Sequence, residues 1–410
     1  MADSESQAQG PPLEGLRILD LTQGVAGPYA TKLYADYGAD VIKIERPDGG
    51  DPARRIGPFP NDEPHPERGG VFLHINTGKR SVTLNLKTAS GQGILQRLAA
   101  SADLVFESFR PGALERLGLD AERLAALRPQ ASLIRISNFG QYGPYRDFEA
   151  DDMLLYATGG VLQITGVPER EPIKIGLYAP LFLAGAVAAA MSFGALLAAD
   201  RDGAGQTVDV SIQDVLSASM DRGGPNLVAW QYSGSLMHLR MRELRRNAIP
   251  RGVYPCQDGY VFVNGALQWF DRFCRMIGHP ELIDDEETLA RLEHIEHGGD
   301  LDALLYPWLL ERTKQQVMEE AQEVGLPVGA INSMADVFAD PHLREREFIT
   351  TIEHPEAGAF EFPGLPIRMH GTPGALRRAP LLGEHTSEVL TSELGYTPED
   401  VVILRQRNIV

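Results

Sequence analysis

A chain of 410 residues is long enough for more than one domain, and 43% hydrophobic with 23% charged residues is the balance of an ordinary globular protein. A net charge of −18 repels phosphate backbones and anionic lipid, which argues against nucleic acid or a membrane as partner and obliges any anionic ligand to find a local basic patch. The two cysteines, Cys256 and Cys274, lack metal-type spacing, give no disulfide framework and fit a reducing, cytoplasmic setting.

Residues 1–12 (MADSESQAQGPP) are polar, lack the charged and apolar regions of a signal peptide, and read as a disordered tail. The run LRILDL (16–21) suits a buried strand. A glycine turn (QGVAGP), an amphipathic helix (YATKLYADYGA) and a second strand (VIKIERP) follow, which is the signature of a βαβ unit. The pattern recurs through strand SVTLNL (81–86), helix SGQGILQRLAASA, strand DLVFESF, helix LDAERLAALRP and strand SLIRISNFG. The fold class is therefore α/β, with a doubly wound, Rossmann-like large domain.

The stretch Ala179 to Ala199 approaches the length of a membrane span. Its Ala- and Gly-rich composition and the polar turn ADRDGAGQ after it favour a core helix that packs closely on its neighbours. TVDVSIQDVLSASM then reads as a strand running into a helix. Residues 222–252, with the basic run RMRELRRN, read as a linker. Beyond it, a hairpin around Asp258-Gly259 and the helical segments WFDRFCRMIG and LYPWLLERTKQQVMEEAQEVG indicate a smaller α+β domain. Strand-like pieces at 349–370 lead to the C-terminal segment.

Gly24 and Gly27, between strand and helix, could leave helix N-terminal amides free for a phosphate; a tight βα turn explains them equally well. The turn is not G-x-G-x-x-G and no acid falls at the ribose spacing, so a nicotinamide cofactor is not expected. Arg46, Lys79, Arg80, Arg110 and Arg116 follow or flank predicted strand ends, where ligands of open α/β sheets bind. Together they are a candidate phosphate edge; singly, each could be a solvated side chain. Asp151 and Asp152 precede the apolar helix MLLYATGGVLQITG, where a capping role and a catalytic role are both open. His294 and His297 lie among acids on what reads as a charged solvent face, and no metal is expected. A serine hydrolase has no G-x-S-x-G elbow here.

Five blocks carry a resemblance to one family: GLRILDLTQGVAGPYATKLYADYGADVIKIERPDGGDPAR, INTGKRSVTLNLKTASG, ESFRPGALERLGL, GQTVDVSIQD and APLLGEHTSEVLTSELGY. They resemble the class III CoA transferases, a family that includes formyl-CoA and carnitine CoA transferases and 2-methylacyl-CoA racemases. The resemblance implies a Rossmann-like large domain at 13–222, a small α+β domain with linkers at 223–330, and a C-terminal segment, 331–410, that returns to the large domain. It also implies an interlocked, chain-link dimer. CoA or acyl-CoA enters as substrate, with no permanently bound cofactor. Residue by residue, CoA contacts fall on Val25, Arg46, Ile75, Lys79, Phe109, Ala113 and Arg116, with Asn138 standing where formyl-CoA transferase has a basic residue.

Family transferases use an aspartate that attacks the acyl-CoA thioester, giving a mixed anhydride, then an enzyme thioester from which the acceptor acid takes CoA. That aspartate lies four residues before a glycine, in patterns such as ADLLAG. Here the matching stretch runs Tyr178-Ala179-Pro180-Leu181-Phe182-Leu183-Ala184-Gly185, so Leu181 occupies the nucleophile's position and no catalytic residue is assigned there. Residues 175–199 contain no acid, and Asp152 is the nearest spare carboxylate. The racemase pattern wants histidine where this chain has Asp151. The resemblance thus points to a non-nucleophilic subunit of a heteromeric transferase, paired with a related chain that carries the aspartate. The donor is expected to be succinyl-CoA and the acceptor a carboxylic acid, with benzylsuccinate of anaerobic toluene breakdown the single best match. A homodimer using Asp152 and a non-catalytic CoA-binding homologue are the alternatives.

Overall fold

The structure, a computed structural model, describes residues 10–167, 169–219, 223–234 and 247–410. Six parallel strands, β1 (Arg17–Leu21), β2 (Asp40–Glu45), β3 (Arg80–Thr83), β4 (Leu104–Glu107), β5 (Ser132–Ser137) and β6 (Thr207–Ser211), form a sheet in the order β3-β2-β1-β4-β5-β6. Between and after them run α1 (Ala26–Ala35), α2 (Gly70–Ile75), α3 (Ala89–Ala99), α4 (Ala113–Arg116), α5 (Ala121–Leu127), α6 (Asp152–Thr158), α7 (Ala179–Asp202), α8 (Ile212–Ser219) and α9 (Gly223–Ser233). This is the doubly wound order, in which the chain reverses direction between β1 and β4.

The strands are nearly continuous apolar runs because both faces of the sheet are covered. Ile18, Phe106 and Ile134 face a core shared with α1, α6, α7 and α8. Their neighbours Leu19, Val105 and Leu133 face a second core with α3, α5 and the C-terminal residues Val401, Ile409 and Val410. Helix starts are fixed by side chains: the Thr88 hydroxyl accepts from the Gly91 amide at 3.0 Å, Asp120 from Arg123 at 2.7 Å, and Asp151 from Leu154 at 2.9 Å.

Helix α7, with 24 residues, is long and apolar enough to cross a membrane by length and composition alone. Its packing is that of a core helix on one face: Ala184, Gly185, Ala188, Ala195 and Ala199 are buried. Gly185 lies so near α1 that a Cβ there would stand 2.4 Å from the Ala26 carbonyl oxygen. On the opposite face Leu197 is exposed.

Over the described residues, the chain divides into two compact units, Met1–Thr165, Pro172–Leu239 and Glu347–Val410 in one and Gly166–Glu171 and Arg240–Arg346 in the other. The second unit holds the hairpin of β7 (Arg251–Cys256) and β8 (Gly259–Asn264), helices α10 (Phe270–Met276), α11 (Glu286–Arg291), α12 (Gly298–Leu310) and α13 (Lys314–Glu323), strand β9 (Val328–Ala330), and α14 (Met334–Ala339) and α15 (Pro341–Glu345). In the first unit the chain resumes as the antiparallel pair β10 (Ile349–His354) and β11 (Gly358–Pro363), then α16 (Thr386–Glu388) and α17 (Pro398–Gln406).

Several local expectations need correction. Residues 223–233 form a helix of the first unit, not a linker; the basic residues 240–246 lie outside the described residues. Strand β3 ends at Thr83 rather than 86. The run expected as one helix after Leu304 is two, because the Thr313 hydroxyl and the Gln316 side chain form a reciprocal capping box that starts α13. At the N-terminus Pro11 packs beneath Gly38, and the Leu13 amide donates to the Tyr37 carbonyl at 3.1 Å, so residues 11–12 are anchored. Residues 1–9 of the expected tail lie outside the described residues.

Candidate functional site

A cleft of about 710 Å³ opens at the carboxyl edge of the sheet, across the reversal point. Leu21 and Gln23 after β1, Arg46 and Asp48 after β2, Leu84 to Lys87 after β3, and Phe109 after β4 line it. Asn408 completes one wall from the far end of the chain. That residue is held in place because the Asn85 amide donates to the Ile409 carbonyl at 2.7 Å and its side-chain amide to the Asn408 carbonyl at 3.1 Å. Arg46 and Lys87, both exposed, supply cations at the mouth.

Beneath the cleft a buried ionic network fixes the loops that form its walls. Asp20 accepts hydrogen bonds from Lys79 at 3.0 Å, Thr31 at 2.7 Å and Thr22 at 2.5 Å. Lys43 bridges to Asp51 at 2.8 Å and donates to the Thr22 carbonyl at 3.0 Å, and Asp51 accepts from the Gly24 amide at 3.0 Å. Glu45 takes both arms of Arg54, each at 2.7 Å, and Arg54 lies 3.7 Å above the Phe72 ring. Burial alone would raise the Asp20 carboxyl, but Lys43, Lys79 and the two threonine hydroxyls outweigh it and hold the group far below the usual carboxylate range. Burial pushes the Lys79 amine down to about 8 even with Asp20 beside it.

The residues expected to touch CoA separate into three sets. Arg46 and Phe109 line the cleft. Ala113 and the exposed Arg116 lie on α4, whose following residue Leu117 lines it. Val25, Ile75, Lys79 and Asn138 are elsewhere. Val25 is buried at the start of α1, and Ile75 is buried in an apolar cluster with Phe72 and Leu73. The Asn138 side-chain amide donates to the Ala150 carbonyl at 3.0 Å. Lys79 is corrected from phosphate ligand to internal strut: its amine donates to Asp20, to the Pro28 carbonyl at 2.8 Å and to the Asn76 side chain at 2.9 Å.

Two other members of the basic edge are engaged elsewhere. Arg80 begins β3, on the opposite edge of the sheet, and pairs with Asp40 at 2.6 Å and Glu393 at 2.6 Å. Arg110 pairs with Glu149 at 2.6 Å, both four-fifths exposed. Leu84, Asn85, Leu86 and Lys87 were missed, although the carboxyl-end rule applied to strand 81–86 points to them. Asn408 has no local signal, since only the tertiary return of the C-terminus brings it there.

At the second locus, the first turn of α7, no acidic residue is present. Leu181 is half-buried and packs on the core between the sheet and α6 and α8. The next residue, Phe182, turns to the other side, where its ring meets Tyr29 edge-on at 4.7 Å and lies 6.0 Å from the His74 ring. Asp151 is the helix cap of α6, whereas Asp152 pairs with Lys174 at 2.6 Å. The Lys174 amine also donates to the carbonyls of Leu177 and Ile175, the latter at 3.0 Å, so its three protons are spent. Leu177 is held at φ 55°, the left-handed region, a conformation that costs a side-chain-bearing residue about 1 kcal/mol. The second Asp152 oxygen is buried without a hydrogen-bond partner among the described residues.

A sheet of this order, with a cleft at the carboxyl edge across its reversal point, defines a doubly wound α/β protein. The sequence profile of "CoA-transferase family III" matches residues 13–386, and the chain belongs to that family. It is 36% identical to a succinyl-CoA–D-citramalate CoA-transferase of Chloroflexus aurantiacus, over 99% of this chain and 100% of that one. It is 30% identical to the beta subunit of a succinyl-CoA–L-malate CoA-transferase of the same organism, over 97% and 98%. A crystal structure of a CAIB/BAIF family protein from Brucella suis superposes with a TM-score of 0.81 at 32% identity, covering 94% of this chain and 100% of that one.

Proposed function

We propose that this chain is the non-nucleophilic subunit of a cytoplasmic CoA transferase that moves CoA from succinyl-CoA to a substituted succinate. The observation that carries the reading is Leu181. A family member keeps its full fold, its edge cleft and its α7, yet has an aliphatic side chain where the thioester would be attacked, and α7 offers no acid in its first turn. A related chain that supplies an aspartate restores the missing step, and the interlocked dimer expected for the family is the arrangement that would bring the two together. That one relative is itself named as a subunit supports a two-chain enzyme. Benzylsuccinate, citramalate and malate are all succinates bearing a substituent, and the acceptor is inferred to be of that class.

In this reading the cleft holds CoA, with Arg46 and Lys87 meeting its phosphates as charge-assisted donors. The partner's carboxylate attacks the succinyl thioester and releases CoA thiolate, and the thiolate then attacks the aspartyl carbonyl of the anhydride and releases succinate. The acceptor carboxylate attacks the enzyme thioester, expelling CoA thiolate and forming a second anhydride; the thiolate then attacks the acceptor's carbonyl in that anhydride, giving the acceptor's CoA thioester and freeing the partner's carboxylate. One observation favours a second reading, a homodimer in which Asp152 acts: its buried oxygen has no partner among the described residues. Against that, its charge is already shared with Lys174.

Co-expression decides between them. CoA transfer from succinyl-CoA to a panel of substituted succinates is expected only with the aspartate-bearing chain present, and is expected to vanish when that aspartate becomes alanine. Leu181→Asp should give this chain transfer activity by itself. Activity of the unmodified chain alone, abolished by Asp152→Asn, would overturn the subunit reading in favour of the second.

A further inference from the structure

Between Phe109 and Leu117, both of which line the edge cleft, the chain turns through Gly112 into α4. Gly112 sits at φ 79°, the left-handed region that favours glycine, and two cations close on its open side. A Cβ placed there would stand 3.4 Å from Nη1 of Arg116 and 3.6 Å from Nη2 of Arg146. The two terminal nitrogens therefore lie within about 7 Å of each other, a spacing at which like charges repel. Arg116 comes from the connection after β4 and Arg146 from the connection after β5, so neighbouring strands deliver both from their carboxyl ends.

Neither forked end meets a carboxylate. Among the described residues the Arg116 side chain has no ion pair or hydrogen bond, and Arg146 meets only its neighbour Asp147, through Nε at 3.8 Å. Other arginines of this acidic chain find acids: Arg17, Arg54, Arg80, Arg110 and Arg135 each pair at 2.6–2.8 Å. With 56 acidic against 38 basic residues, two converging forks left free are a departure that an anionic ligand explains. The loop that carries Arg146 is also held in place. Tyr145 stacks on Phe148 at 4.9 Å, and Phe139 packs edge-on against both, at 5.9 Å and 6.4 Å. The Gln141 amide donates to Asp209 at 2.9 Å, and the Arg110–Glu149 pair ties this loop to the one that leads into α4. Such anchoring lowers the ordering cost of binding.

We propose that Arg146 joins Arg116 in gripping the phosphate monoester on the ribose of CoA, at the rim of the cleft. The inference rests on the reading of this chain as a CoA-transferase subunit and adds a residue outside the CoA contacts expected from the sequence. Two guanidinium forks bring two positive charges, which match a monoester that carries a charge of about −2 and three acceptor oxygens at neutral pH. Each group of the CoA diphosphate bears a single charge, and the cleft mouth already offers Arg46 and Lys87 to those. Arg146 thus selects for the complete coenzyme over one that lacks the monoester.

Titration calorimetry on the purified full-length chain, with CoA and dephospho-CoA as paired probes, tests this. The native chain is expected to bind CoA about thirtyfold more tightly than dephospho-CoA. Arg146→Gln should weaken CoA about tenfold and leave dephospho-CoA within about twofold, so that most of the preference disappears. Arg146→Lys, which keeps the charge and loses the fork, should recover part of the loss. Thermal melts of both variants should match the native chain, because the Arg146 side chain is exposed. Unaltered CoA affinity in Arg146→Gln, an equal loss for both ligands, or a native chain that does not distinguish them would overturn the assignment. Failure of the native chain to bind either ligand would instead strike the transferase reading on which it rests.

Discussion

Arg46 and Lys79 both flank strand ends in the sequence, and the structure assigns them opposite kinds of work. Lys79 is sealed inside, with Asp20 at 3.0 Å, so its removal strands part of a buried charge rather than a ligand. Lys79→Met is expected to cost about 3 kcal/mol of stability, the usual penalty for removing one partner of a buried pair, while CoA affinity stays within twofold. Arg46→Ala should do the reverse: the melting temperature holds, CoA affinity falls about tenfold (about 1.4 kcal/mol), and the salt dependence of binding flattens. Denaturant melts and CoA titrations on the same two variants check both. Proximity to a strand end cannot separate the two residues, because it carries no direction. Lys79 precedes β3, whereas Arg46 follows β2, and only the carboxyl side of a parallel sheet forms the ligand crevice. With direction included, the same pattern exchanges Lys79 for Lys87.

Among the elements, those legible in the sequence have a strong period or a long apolar run. Strands β1, β2, β4 and β5, the hairpin of β7 and β8, and α7 stand where apolar alternation and turn residues put them. What was illegible depends on partners distant in sequence. The C-terminal residues Ile409 and Val410 are buried only because they close the second core under β3 and α3, and no local pattern marks that role. Helix α7 shows what small residues accomplish: Gly185 lets α1 approach to a distance that a Cβ would violate. Gly185→Val is therefore expected to force the two helices apart and destabilise the large unit by about 3 kcal/mol or more, visible as insoluble expression or a melting temperature lowered by several degrees. Gly194 is the control, since a Cβ added there would meet no heavy atom within 4 Å, and Gly194→Ala should leave stability unchanged or slightly raised.

For the whole molecule, the surface of the large unit is the informative feature. Trp230 and Tyr232 on α9 are 56% and 87% exposed, and Leu197 on α7 is 73% exposed. Exposed aromatic and aliphatic side chains on a helix mark an interaction face more often than a solvent face. Helix α9 exposes Leu227 and Val228 as well, so it presents apolar groups around much of its girth, which suits a helix enclosed by another chain. If the partner that supplies the aspartate covers these helices, then Trp230→Glu combined with Leu197→Glu should reduce the assembly to single chains in light scattering. The same variant should keep its affinity for CoA, because the cleft lies wholly at the carboxyl edge of its own sheet, yet lose transfer activity with the partner present. A double variant that still assembles and still transfers CoA would show that the two chains meet through another face.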